Sequence, residues 1–175
     1  MEFIGRMFID LLNNNVLLVA LISWAIAQVI KVILNAIINR RFSLERLFGD
    51  GGMPSGHSAT VTAAAVMCAW TYGLNSAVFG IAFVLAVVVM HDATGVRREA
   101  GKHAVAINEI VETISDDDSE IDINIAKLKE FVGHTHRQVI VGSILGALVA
   151  ILFCVFAGIE YCESVPADII TGLFK

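Results

Sequence analysis

Four long apolar segments dominate this sequence, and they determine which solvent most of the chain is built for. They cover approximately residues 14–38, 57–74, 75–92 and 138–159. A helix needs roughly 20 apolar residues to cross a hydrocarbon core about 30 Å thick, and each segment reaches or approaches that length. The apolar content of 57% and the mean hydropathy of +0.75 are far above those of a soluble domain. The sequence therefore predicts an all-α, multi-pass membrane bundle of about four transmembrane helices, forming one integral membrane domain over residues 1–175.

The connections between these segments differ in length and character. Residues 39–52 form a polar connection that ends in two glycines shortly before Pro54, whereas residues 72–75 leave room only for a tight helical hairpin. Residues 93–133 are expected to be an extramembrane insertion between the third and fourth spans. Its apolar residues recur at helical spacing, which predicts an amphipathic helix on the membrane or over the bundle. These residues are Ala100, Ala104, Ile107, Ile110, Val111 and Ile114.

The number of spans predicts which parts of the chain share a side of the membrane. An even number puts both termini on one side and the two polar loops on the other. All five histidines and ten of the twelve Lys and Arg residues fall on the loop side. The positive-inside rule then places those loops in the cytoplasm, although a phosphate site in the loops would need the same cations for its chemistry.

The net charge and the cysteine spacing indicate whether nucleic acids or metal ions are expected as ligands. The formal charge of -5 comes from the acidic stretch at residues 115–122, and the rest of the chain is neutral, so we expect no nucleic-acid partner. That stretch lacks the glycine and the ligand alternation of an EF-hand, so we interpret it as a solvated turn rather than a calcium loop. The three cysteines are widely spaced and have no metal-ligand pattern. The sequence therefore predicts no metal site.

The most specific string in the chain is residues 51–59, where a glycine-rich loop passes into an apolar helix. Ser55 is a natural N-cap, and free backbone N–H groups at a helix start bind anions. His57 would lie in the first turn of that helix, where an imidazole can donate a proton to a leaving oxygen near neutral pH. The alternative interpretation is a capping turn with an incidental histidine.

The tetrapeptide Pro54-Ser55-Gly56-His57 is identical to the second signature motif of the type-2 phosphatidic acid phosphatases, which share their site with the vanadium haloperoxidases. On this motif and those below, the chain resembles the divergent branch of that superfamily over roughly residues 20–145. The resemblance implies a helical membrane protein with a phosphate site.

The third superfamily motif contains a histidine that opens a helix, followed four residues later by a carboxylate. The segment beginning at His134 is similar to it, with matches at His134, Val139 and Gly142. His136 stands where proline is usual, and Gln138 stands where the acid is usual. Because position 138 would lie one helical turn after His134, we expect Gln138 to hold the imidazole without stabilising its charge as a carboxylate would.

The arginine of the third motif has no counterpart at the usual spacing before His134. Arg97 and Arg98, at the exit of the third span, take its place, followed by a long insertion. A second alignment pairs Arg97 with His103 at the literal spacing, but Ile107 then replaces the acid and His103 falls within an amphipathic helix. We therefore prefer His134 and keep His103 as a secondary candidate.

Two other polar residues lie at or inside the predicted spans. Lys31, with Arg40 and Arg41 beyond it, loosely resembles the first superfamily motif. Lys31 either snorkels to the interface or belongs to an inward polar stripe with Gln28, three residues earlier on the same helical face. Asp92 ends the third span, and it is either a solvated cap or a group that orients Arg97 or a histidine.

The resemblance implies a membrane phosphatase that hydrolyses a lipid phosphate or pyrophosphate through a phosphohistidine intermediate, without a cofactor. His134 would be the nucleophile and His57 the acid, and the substrate would be of the phosphatidic acid or isoprenoid phosphate class. The alternative, which Gln138 would permit, is a catalytically weak or inactive protein that binds or transports lipid phosphates. The protein would lie among membrane lipids, and the sequence is compatible with a homo-oligomer. The residues expected to hold the phosphoryl group are Lys31, Arg41, Ser55, Gly56, Arg97 and Arg98.

Overall fold

A computed structural model of the protein describes residues 2–40, 52–116, 128 and 133–162. These residues form six helices and no strand, which confirms the all-α prediction. The helices are α1 (Glu2–Leu12), α2 (Asn15–Asn39), α3 (Gly56–Tyr72), α4 (Ala77–Thr94), α5 (Val96–Asp116) and α6 (His136–Phe156).

Membrane-spanning potential is concentrated in three stretches of the described chain. Asn15–Ile38, Ala77–Ile114 and His136–Phe156 are long and apolar enough to cross a bilayer, and the second of them combines α4 with α5. The predicted span at residues 57–74 corresponds to α3, whose 17 residues extend about 25 Å. This helix lies at the centre and packs against α2, α4 and α6. The helical membrane bundle predicted from hydropathy is therefore confirmed.

Small residues allow α3 and α6 to approach closely along their whole length. A Cβ atom on Gly142 would overlap the carbonyl oxygen of Ser55, and one on Gly146 would overlap that of Ala59. Four-residue steps along both helices continue this contact to the far end, where Cys154 Sγ lies 3.4 Å from the sulfur of Met67. The two helices are therefore parallel and in constant register, in the manner of membrane helices that associate through small residues at every fourth position.

A buried polar stripe runs along α2. Ser23, Gln28 and Lys31 are each less than a tenth exposed, and Lys31 is 5% exposed. The aliphatic part of Lys31 lies against Gly52, because a Cβ atom there would be 3.3 Å from Lys31 Cγ. Lys31 thus points into the protein, and the inward stripe is the correct one of the two alternatives.

Two amphipathic helices flank the bundle. In α5, the predicted helix of the insertion, Ala104 and Asn108 are buried, while most of the apolar stripe remains exposed. The Asn108 side chain donates to and accepts from the backbone of Leu128, with both hydrogen bonds at 3.0 Å. Helix α1 was not predicted from the sequence, and among the described helices it packs only against α2. Its exposed apolar residues, beside Arg6 and Asp10, are typical of a helix at a membrane surface.

Candidate functional site

Three distant parts of the chain meet at one end of the bundle. They are the start of α3, the junction of α4 with α5, and the residues immediately before α6. They enclose a cavity of about 180 Å³. The polar and glycine residues that line it are His57, Asp92, Arg97, Gly133 and His134. The described ends of the two loops that the topology predicted on one side therefore meet at one end of the bundle, while the side of the membrane stays a prediction.

The cavity brings together the histidines of the two best-matched motifs. The ring centroids of His57 and His134 are 6.2 Å apart. His134 is buried, with 3% of its surface exposed, whereas His57 is exposed. One small anion can therefore contact both imidazoles, with the buried ring on the protein side and the exposed ring toward solvent.

The backbone fixes His134 against the α4–α5 junction. Its N–H group donates to the carbonyl oxygen of Ala93 at 2.9 Å. The preceding Gly133 has a φ of +88°, and a Cβ atom there would lie 2.5 Å from the backbone nitrogen of Arg98 and 2.8 Å from the carbonyl carbon of Arg97. Only glycine combines this conformation with this contact. Sequence analysis assigned no role to Gly133, although its position directly before His134 was a usable signal.

Gln138 has a structural role that the sequence analysis did not foresee. Helix α6 begins at His136 with Thr135 as its N-cap, so His134 precedes the helix and the expected one-turn relation to position 138 does not apply. The Thr135 N–H group donates to Gln138 Oε1 at 2.8 Å, and the Gln138 N–H group donates to Thr135 Oγ1 at 3.4 Å. This is a capping box, in which glutamine or glutamate serves equally well. A role for Gln138 in holding the His134 ring stays a prediction.

The start of α3 has the N-cap predicted for it, and its binding of an anion stays a prediction. Ser55 is the N-cap, and its Oγ accepts from the N–H group of Ser58 at 3.3 Å. Gly56 packs against Trp24, whose Cδ1 would be 3.4 Å from an added Cβ atom. Within the described chain, the N–H groups of Gly56 and His57 have no acceptor. Such groups at a helix start bind anions.

The two halves of the site are joined by a backbone hydrogen bond. The N–H group of Ser55 donates to the carbonyl oxygen of Gln138 at 3.1 Å. Because Gly142 packs on the carbonyl group of the same serine, the start of α3 cannot shift without displacing α6. The motif glycine at position 142 therefore has a packing role that fixes His57 relative to His134.

The cationic side of the cavity is formed by Arg97. Its Nε donates to Asp92 Oδ2 at 2.6 Å, and both side chains remain partly exposed. Asp92 is therefore paired with Arg97, and its role in orienting Arg97 for a ligand stays a prediction. Among the described residues, the terminal nitrogens of Arg97 have no partner, and they are suited to a phosphoryl oxygen.

The other predicted residues that the structure describes do not line the cavity. The side chain of Arg98 is exposed, and His103 is exposed on α5 about 9 Å further along the helix than Arg97. Lys31 is buried against Gly52 and is not part of the cavity lining. Arg41 lies outside the described residues. No group of three or more His, Cys, Asp or Glu side chains within the described ranges has the geometry of a metal site.

The fold and the site define a helical membrane protein with a two-histidine cavity beside a capped helix start. Residues 12–149 match the model of the Divergent PAP2 family. The chain is also 39% identical over 155 residues to the uncharacterized membrane protein YuiD of Bacillus subtilis (strain 168), and this alignment covers 84% of the chain and 98% of that relative. No solved structure matches the chain significantly. The chain belongs to the Divergent PAP2 family, which confirms the resemblance that its motifs indicated.

Proposed function

We propose that this protein is a membrane phosphatase that hydrolyses a lipid phosphate or pyrophosphate. The observation that carries the proposal is the pairing of His57 with His134 in one cavity, with ring centroids 6.2 Å apart and Arg97 in the cavity lining. A nucleophile, a proton donor and an anion-binding cation are the groups that metal-independent phosphoryl transfer requires.

In the first step, a ring nitrogen of His134 attacks phosphorus, and a nitrogen–phosphorus bond forms. The bond between phosphorus and the leaving oxygen breaks, and that oxygen takes the electron pair together with a proton from His57. In the second step, water attacks the phosphohistidine while His57 accepts the proton of the water. The nitrogen–phosphorus bond then breaks, and inorganic phosphate and the original His134 are released.

The cations and amides stabilise the charge that this reaction concentrates on the phosphoryl oxygens. Arg97 supplies its terminal nitrogens, and the N–H groups of Gly56 and His57 point from the start of α3. Lys31 adds positive charge, and Arg41 belongs to the same proposed set. Because the backbone N–H groups of α3 are held by the helix before the substrate arrives, they need little reorganisation during the reaction.

A second candidate function is lipid-phosphate binding or transport with little turnover. It is favoured by the capping role of Gln138, whose oxygen accepts from Thr135, and by the pairing of Asp92 with Arg97. In this function the cavity would hold the anion without a carboxylate to stabilise a charged His134. Turnover and binding must therefore be measured on the same preparation.

The test is phosphate release by the detergent-purified protein from phosphatidic acid and from isoprenoid mono- and diphosphates. We expect release from at least one of them, its loss in His134→Ala, and a strong decrease in His57→Ala. His103→Ala is the matched control and should retain full activity, because His103 does not line the cavity. Binding without release would support the second candidate, and full activity of His134→Ala would refute the proposed nucleophile.

A further inference from the structure

A second cavity lies next to the site, between α3 and α4, and extends along the bundle. Its volume is about 470 Å³, and it is lined almost entirely by apolar atoms. Ala65 and Ala69 line it from α3, and Phe83, Ala86 and Met90 line it from α4. We call this cavity the α3–α4 groove.

One face of α4 connects the groove to the site. Phe79, Phe83, Ala86 and Met90 line the groove at alternating steps of four, three and four residues, so they share one helical face. The next residue on that face is Ala93, which lines the site cavity. From Phe79 to Met90 the groove follows about 16 Å of helix. The groove therefore begins one helical turn from the site and runs along α4 toward the opposite end of the bundle.

The two ends of the groove are built differently. At the far end, Trp70 and Tyr161 both line the groove and meet edge to face, with ring centroids 5.4 Å apart. Trp70 is held there because its Nε1 donates to the carbonyl oxygen of Ile159 at 2.8 Å. At the site end lies Met90, a flexible side chain whose sulfur accepts from the Ser143 hydroxyl at 3.0 Å. The groove thus has a fixed aromatic end and an adaptable end next to the site.

These features determine what can occupy the groove. It offers hardly any polar surface, so its occupant is a hydrocarbon. Because lipid tails are as apolar as the groove, burial provides little hydrophobic driving force inside a membrane, and selection depends on shape. The polar end of the occupant must lie where the groove meets the site, which is the phosphate position between His57 and His134.

We infer that the α3–α4 groove holds the hydrocarbon chain of a single-chain lipid phosphate, such as an isoprenoid phosphate, whose phosphoryl group lies in the site. This inference rests on the proposed function and specifies its substrate. A lipid with two chains can place only one of them in the groove, and its glycerol esters would lie where the chain enters a groove that offers hardly any polar surface. Single-chain lipid phosphates are therefore preferred over phosphatidic acid.

The first test fills the groove with Ala69→Phe. For farnesyl phosphate, kcat/KM should fall at least about tenfold, because shape mismatch of a few methylene groups has that effect in an apolar pocket. For isopentenyl phosphate, whose chain is too short to pass Met90, kcat/KM should be unchanged. Val84→Phe is the matched control, since Val84 faces outward on α4 and is 61% exposed. The wild type should also prefer farnesyl phosphate over dioleoyl phosphatidic acid.

The outcomes separate this inference from the proposed function. If both isoprenoid phosphates are hydrolysed and Ala69→Phe affects neither or both equally, the groove inference is overturned while the phosphatase stands. A wild-type preference for phosphatidic acid would overturn it as well. If the wild type hydrolyses none of these substrates, the proposed function fails, and the groove is then tested by binding alone.

That binding test uses a farnesyl phosphate analogue with a photoreactive diazirine at the end of its chain, on the wild-type protein in lipid nanodiscs. Peptide mapping should locate the cross-links at Phe79, Phe83 or Trp70, and Ala69→Phe should reduce them. Cross-links at outward residues of α4, such as Ile81 and Val84, would show that the chain lies in bulk lipid and would overturn the inference.

Discussion

The two sides of α3 differ in how closely its neighbours approach. Toward α6 there is no space for even a methyl group at Gly142 or Gly146. Toward α4 there is a cavity of about 470 Å³, which the alanines of α3 and α4 leave open. In a membrane, close packing is a main source of helix association. The interface of α3 with α6 therefore stabilises the bundle, and the loosely packed interface of α3 with α4 contributes less. Under the groove proposal, the space on the α4 side is where the hydrocarbon chain of the substrate lies.

The site is built on both sides of α3. The start of α3, which carries His57, is joined to α6 by the hydrogen bond from Ser55 to Gln138, and His134 is joined to α4 by its hydrogen bond to Ala93. The side chain of Arg97, in contrast, is oriented by an exposed ion pair. We therefore expect the two histidines to keep their relative position while Arg97 adjusts to the substrate.

The largest effect is expected from Gly146→Ala at the tight interface. The added methyl group would overlap the carbonyl oxygen of Ala59, so α3 and α6 must separate. Overpacking of this kind costs about 1–3 kcal/mol, and we expect a corresponding decrease in the thermal stability of the purified protein.

Gly80→Ala is the matched control, because nothing lies within 4 Å of a Cβ atom at Gly80, which is also in the interior of a helix. Its unfolding free energy should not fall and should rise by up to about 1 kcal/mol, because alanine favours a helix interior more than glycine does. If both variants are equally stable, the close packing of α3 on α6 is not what holds the bundle together.

A smaller effect, on activity alone, is expected from Asp92→Asn. Without the carboxylate, Arg97 loses the partner that orients it, and kcat/KM should fall about tenfold, which corresponds to about 1.4 kcal/mol. Thermal stability should change little, because exposed ion pairs contribute less than about 1 kcal/mol. Glu99→Gln removes the similarly exposed pair with Lys102 and should leave activity unchanged. Equal activities of the two variants would show that Asp92 does not position Arg97.

The smallest effect is expected from Gln138→Glu, with a severalfold rise in turnover. Glutamate can close the same capping box with Thr135, so α6 should keep its start. The new carboxylate would add negative charge near His134 and favour its charged form. Gln138→Met, which cannot accept from Thr135, serves as the control for the cap and should lower thermal stability. Unchanged turnover in a stable Gln138→Glu protein would mean that this residue serves the cap alone.

Hydropathy predicted most of the fold because each apolar run is long enough to form its own helix. The predicted hairpin at residues 72–75 and the helix in the insertion were both found, with α3 ending at Tyr72 and α5 beginning at Val96. Helix α1 was not predicted, because its apolar residues occupy a single short helical face and do not form a continuous run.

The site was predictable only where a local pattern exists. The N-cap Ser55 and the position of His57 in the first turn of α3 were predictable, because a helix start is encoded by adjacent residues. The role of Gly133 depends on contact with the backbone of Arg97 and Arg98, and the α3–α4 groove depends on how two helices pack. Contacts between residues far apart in the chain produce no recognisable pattern of residue spacing in the sequence. The capping role of Gln138 was missed for another reason, because its position in the motif suggested a catalytic role instead.

The most direct test of the central claim is to trap the phosphoenzyme. The wild-type protein is mixed with a radiolabelled lipid phosphate that it hydrolyses, quenched under alkaline conditions, and analysed for covalently bound phosphate by peptide mass spectrometry. We predict an acid-labile phosphohistidine at His134, absent from His134→Ala and accumulating in His57→Ala when the substrate has a good leaving group. A phosphohistidine at His103, or turnover without any phosphoenzyme, would contradict the account.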